Sequence, residues 1–333
     1  MKKIRLTPLI YLLFTAALIL IGVSLRSVAL IGSYNFTTGY FSDKLLIGIS
    51  DGVTVLAVLG AVSYLFTGER KKKFVATYED PTTYIPSALV AVATVFLAID
   101  LCGVVGNRDT VIPSTARFTA VIAIALAALS AVAFFVSCLR TDRRDATRAA
   151  FQITAVLFLG IYAAFIYFEN PLPINVPSRI VDIMAYLSAA VFLLYEARLS
   201  LGRDLWGLYT VFGLICAVLC AYSSIPSIIT YFALGKEVSH SVKENVLTLA
   251  LFLFSALRLI RSALLFEDTD AKTVAAIKLQ EAARDNAAVG RDDGEAEDDG
   301  SQESPDVAET NAENYTFEID GNSADEAPEG EEE

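Results

Sequence analysis

The sequence predicts an all-α integral membrane protein, a bundle of about eight transmembrane helices with a disordered acidic C-terminal tail. Three observations carry that expectation. Hydrophobic residues make up 54% of the 333 and charged residues only 19%, with a mean hydropathy of +0.52. That balance is too apolar for a soluble globular chain of this size. Eight uninterrupted apolar runs follow one another, each close to the roughly 20 residues that cross a hydrocarbon core as a helix. The charge is also divided unevenly. Residues 1–266 hold 15 acidic and 22 basic residues, a net of +7, whereas 267–333 hold 23 acidic and 4 basic, a net of −19.

The runs are Leu6 to Gly32, Leu45 to Phe66, Ile85 to Val105, Phe118 to Leu139, Ala150 to Phe168, Ile180 to Leu201, Leu208 to Leu234 and Asn245 to Phe266. Short polar gaps separate them and carry turn residues such as Gly39, Asp43, Pro81, Asn107, Pro177 and Gly235. Strands of a membrane barrel alternate apolar and polar residues over about 10 positions. These runs are continuous and twice that length. Without water to satisfy backbone groups, the α-helix is the spanning form that such runs leave available.

The placement of lysine and arginine predicts orientation. With the N-terminus inside, the inner segments hold 13 such residues, including Lys2, Lys3, "RKKK" at 70–73 and Arg140, Arg143, Arg144 and Arg148. The outer segments hold six: Lys44, Arg108, Arg117, Arg179, Lys236 and Lys243. Both termini are therefore expected in the cytoplasm. The start "MKKIRL" feeds directly into a span and suits a bacterial cytoplasmic membrane. The first run also resembles a signal peptide, with Ser27 and Ala29 before a possible cut. Its length and the nearby Arg26 favour an uncleaved helix.

Three parts are expected: a transmembrane domain over 1–266, a short cytoplasmic helix or linker over 267–289, and a disordered tail over 290–333. The tail has too little apolar content to bury a core. "NYTFEID", Asn314 to Asp320, is an apolar island within it, read first as chance composition and alternatively as a short docking peptide that adds as a strand to a cytoplasmic protein partner.

Charges inside the spans are the candidate functional residues, because an ionisable side chain in hydrocarbon marks a site by default. "VATVFLAIDLCGVVG" holds Asp100 as its single charge. Counting 1.5 Å per residue places Arg26, Asp51, Asp100 and Asp182 toward the outer face, with Ser223 and Ser224 of "SSIPS" at a similar level. Arg26 is the expected partner of Asp100, with Asp51 nearby. Pro226 is expected to kink or break its helix. Toward the cytoplasm, Glu196 and Arg258 form a candidate structural ion pair.

Much of the familiar chemistry is missing from the sequence. It contains no phosphate-binding loop, no H-E-x-x-H and no G-x-S-x-G. His240 is the single histidine, so no histidine-based metal or catalytic centre is expected, and neither a cofactor nor a metal ligand set is assigned. Cys102, Cys138, Cys216 and Cys220 lie within apolar runs and read as small apolar residues. No nucleic-acid module is visible. Two functions are expected from these features: a small-solute or ion permease using the outer polar level, or a non-transporting scaffold or sensor that presents its acidic tail to a partner. A membrane-embedded enzyme is less favoured than either.

Overall fold

A computed structural model describes residues 6–67, 81–107, 113–139, 146–169, 176–201, 205–238 and 241–264. Among them are eight long α-helices: α1 (Leu6–Ser33), α2 (Lys44–Ser63), α3 (Pro81–Gly106), α4 (Ser114–Leu139), α5 (Ala146–Glu169), α6 (Pro177–Ser200), α7 (Trp206–Leu234) and α8 (Val242–Leu264). All eight are long and apolar enough to cross a membrane. Apart from one isolated bridge between Tyr34 and Phe41, the described residues form no β-structure. The described residues belong to one compact unit, Met1–Ile277. The linker and tail expected over 267–289 and 290–333 lie outside them.

Local chemistry sets the helix ends. Asp43 caps α2 by accepting from the amides of Leu45 and Leu46. Pro177 opens α6, at a position whose amide has no helical partner in any case. Gly235 closes α7 in the left-handed region, at φ 65°, which costs glycine little. Pro226 lies inside α7, which runs unbroken from Trp206 to Leu234. Serine and threonine hydroxyls bond back along this stretch: Ser224 to the Cys220 carbonyl, Ser227 to Ser223 and Thr230 to Pro226.

Helix packing follows a simple pattern. Neighbours in sequence pack along α3–α4–α5–α6–α7–α8, and α3 packs on α8, which closes a ring of six. The α1–α2 hairpin stands outside this ring and packs chiefly on α7. Small residues let the ring helices approach closely. Ala116, Ala120, Ala123 and Ala127 present a buried alanine face on α4, the kind of surface that van der Waals packing favours in a membrane. Gly213 of α7 is tighter still, since a Cβ there would meet Leu259 Cδ2 at 2.8 Å and Phe192 Cε2 at 3.0 Å.

Aromatic side chains fill the interior of the ring in two groups. Phe158, Tyr162, Phe165 and Tyr186 form one, with the Tyr162 and Tyr186 rings edge to face at 4.9 Å. Phe134, Phe192, Trp206, Tyr209 and Phe254 form the other.

The α1–α2 turn is tied to the ring at one end. Asn35 Oδ1 accepts from the Thr37 and Thr38 amides, and Gly39 takes a positive φ of 74°. The Tyr34 hydroxyl donates to the Val238 carbonyl at 3.0 Å. Burial pushes the Tyr34 phenol above its ordinary range, so it remains a donor at neutral pH.

Candidate functional site

A layer of polar side chains crosses the bundle within about 18 Å of the end where α1, α3, α5 and α7 finish and α2, α4, α6 and α8 begin. It has three parts.

The first lies between the hairpin and α7. Arg26 is buried, with 2% of its side chain exposed, whereas Asp51 is 47% exposed, and Arg26 Nη1 stands 3.9 Å from Asp51 Oδ1. The guanidinium lies over the Tyr222 ring, 4.4 Å from its centroid. The Tyr222 hydroxyl donates to Asp51 Oδ1 at 2.6 Å. Ser50 Oγ is 2.8 Å from that hydroxyl and 3.0 Å from the Gly22 carbonyl oxygen. If Tyr222 gives its proton to Asp51, Ser50 must donate either to Tyr222 or to Gly22, since a serine carries one proton. Arg26 Nε and Nη1 make no hydrogen bond, so the stacked ring and the distant carboxylate supply most of what holds this buried charge.

The second part lies inside the ring. Asp182 of α6 and Glu244 of α8 are 6% and 8% exposed. The Ser223 hydroxyl donates to Asp182 Oδ1. The Tyr186 hydroxyl donates to the Glu244 carbonyl at 3.2 Å, and Thr248 donates to Tyr186 at 3.0 Å. Tyr186 is within electrostatic reach of both Asp182 and Glu244, and Tyr162 is within reach of Glu244. Two buried carboxylates thus share one level with hydroxyl donors and aromatic faces. That chemistry suits a cation, which a carboxylate attracts directly and an aromatic face attracts through its quadrupole.

The third part is Asp100. Lys243 Nζ pairs with its Oδ1, and Ser241 Oγ donates to its Oδ2 at 3.2 Å. The expectation that Arg26 holds Asp100 is therefore corrected. Both residues occupy the same level, but α3 packs on α4 and α8 while α1 packs on α2 and α7. The ring order separates them. Lys243, counted in sequence as an outer loop charge, is the cation that reaches Asp100.

Of the six residues expected to share an outer site, the structure joins Arg26 with Asp51 and Asp182 with Ser223, and it places Asp100 apart. Ser224 is occupied with its own helix backbone. Sequence reasoning overlooked Ser50, Tyr162, Tyr186, Tyr222, Glu244 and Thr248. Tyrosines within apolar runs were the available signal, because a buried phenol needs a hydrogen-bond partner.

At the opposite end, Arg258 Nη2 of α8 contacts Glu196 Oε1 of α6, both buried. Cys216 and Cys220 lie on one face of α7 with their sulfurs 3.8 Å apart. Both are free and buried, while Cys102 is free and exposed. Among the described residues, no group of three or more histidine, cysteine or acidic side chains could hold a metal ion. The side chain of Cys138 and all of His240 lie outside those residues.

The fold and this layer define a class: a multi-pass, all-α membrane bundle in which a six-helix ring carries a polar layer near one end. No family model, curated protein or solved structure matches the chain.

Proposed function

We propose that the protein is a permease for a small cationic solute, residing in a bacterial cytoplasmic membrane with both termini in the cytoplasm. The observation that carries the reading is the burial of Asp182 and Glu244 at one level of the ring, among the hydroxyls of Ser223, Tyr186 and Thr248. Acids within membrane spans mark ion and substrate pathways. Here they stand beside aromatic faces that complement a cation. In the orientation given by lysine and arginine placement, this layer faces outward and would receive solute from outside.

The test is uptake into proteoliposomes, with sodium, potassium, ammonium and tetramethylammonium chloride as probes under an imposed potential. At least one probe drives current in the native protein. Glu244→Gln and Asp182→Asn each reduce that current at least tenfold, a change of about 1.4 kcal/mol. Native protein that passes none of these cations, or variants that pass them unchanged, would sink the reading.

The orientation has its own test. Reporter fusions after Lys73 and after Arg144 score cytoplasmic, and fusions after Asp43 and after Pro173 score external. Any exchange between the two groups overturns the orientation.

One observation favours a second reading. Aromatic side chains pack the interior of the ring, as expected of a closed bundle that anchors an acidic tail for a cytoplasmic partner. A scaffold of that kind loses its function when the tail is removed and passes no cation.

A further inference from the structure

We infer that the groove between α1 and the α7–α8 pair is a binding site for one acyl chain of a membrane phospholipid. The inference rests on the membrane-spanning character of the helices and is independent of any transport activity.

The groove has a volume of about 600 Å³. Leu12, Ile19, Val23, Ile225, Ile229 and Phe252 give its character, with small residues such as Ala16, Ala217 and Ala256 leaving the space. It exists because α1 leans on α7 and only grazes α8. Along α1 it runs from Leu12 to Ser27, about 22 Å at 1.5 Å per residue. That length lies within the roughly 30 Å hydrocarbon core. Counting all the space between the lining atoms, about 1260 Å³, the mean cross-section over that length is about 57 Å², roughly 8–9 Å across, against 10–12 Å for a helix with its side chains. A helix from a second copy is therefore too wide, whereas a single methylene chain fits.

Water is a poor occupant, because each molecule needs several polar partners. The Ser24 and Ser27 hydroxyls bond back to the Leu20 and Val23 carbonyls. Thr15 supplies one buried hydroxyl without a hydrogen bond. Left empty, the lining would forfeit its dispersion contacts. Hydrocarbon from the bilayer fits the length, the width and the polarity together. In that position it fills the gap between the α1–α2 hairpin and the ring where protein contact is thin.

The experiment reconstitutes the full chain in vesicles of phosphatidylethanolamine and phosphatidylglycerol in equal parts, doped with a phospholipid carrying a photoreactive diazirine in its acyl chain. After illumination, adducts are mapped by mass spectrometry. Labelling at Leu20, Ile225, Ile229 and Phe252 exceeds labelling at Val55, Leu56 and Leu59, on the exposed face of α2, because a chain held in the groove keeps its diazirine against these side chains while chains on the α2 face move freely past theirs. Ser24→Leu and Ala256→Phe, which extend side chains into the groove, each remove most of that excess. Thr15→Val leaves it intact, because an alkyl chain asks nothing of that hydroxyl. Equal labelling of groove and α2 face in the native protein overturns the site and needs no variant. Unchanged labelling in folded Ser24→Leu and Ala256→Phe overturns it as well. Loss with Thr15→Val shows a ligand held by a polar group and overturns the assignment to an acyl chain. Cross-links between copies through these residues overturn it in favour of a protein occupant.

Discussion

Arg258→Ala lowers stability in detergent by about 3–5 kcal/mol, the range found when one member of a buried ion pair is removed. Glu196 is fully buried and Arg258 nearly so, and the change removes the guanidinium that contacts the buried carboxylate. Glu196→Gln alone is costly for the same reason, because it removes the carboxylate that contacts the buried Arg258. The double variant Arg258→Met with Glu196→Gln recovers part of the loss, since both members of the buried pair are then neutral. Strict additivity in this cycle would mean that the two side chains do not hold each other. A cost under about 1 kcal/mol for Arg258→Ala would match an exposed pair and contradict the buried geometry.

Arg26→Leu is the second large effect, at about 2–3 kcal/mol. Roughly 2 kcal/mol comes from the desolvated contact with the Tyr222 ring. The pairing with Asp51 adds at most about 1 kcal/mol, because that carboxylate is half exposed. Tyr222→Leu therefore couples to Arg26→Leu more strongly than Asp51→Asn does. Asp100→Asn combines additively with Arg26→Leu, because the two residues sit on helices that do not pack together. Thermal unfolding in detergent measures all three cycles. Strong coupling between Arg26 and Asp100 would restore the pairing that sequence depth suggests and would contradict the ring order.

These two sites show what the sequence makes legible. The apolar runs define the spans because hydrocarbon leaves the backbone few choices. Depth along each span follows from a constant rise, and so Arg26, Asp51, Asp100 and Asp182 could be set at one level. The neighbours around the bundle are another matter. Most runs are apolar on all sides, so no polar face marks the side turned to lipid; α8 is the exception, with Glu244, Thr248, Ser255 and Arg258 recurring on one buried face. The order α3–α4–α5–α6–α7–α8, closed by α3 on α8, emerges only from packing. That order gives Asp100 to Lys243 and Arg26 to Tyr222. Glu244 escaped notice for a related reason. It stands in the first turn of α8 beside Lys243, where a charge reads as part of a loop. Folding buries it against the ring.

Cation binding by the polar layer through Asp182 and Glu244 can be read at equilibrium. A ligand that binds only the folded state at a hundred times its dissociation constant stabilises that state by about 2.7 kcal/mol. The measurement is thermal unfolding of the purified protein across titrations of sodium, potassium, ammonium and tetramethylammonium at constant ionic strength. A saturable rise in melting temperature is expected with at least one of these cations. The rise is absent in Glu244→Gln and Asp182→Asn and retained in Asp100→Asn. A protein indifferent to every cation tested, or one whose response survives loss of both ring carboxylates, would contradict cation binding by this layer.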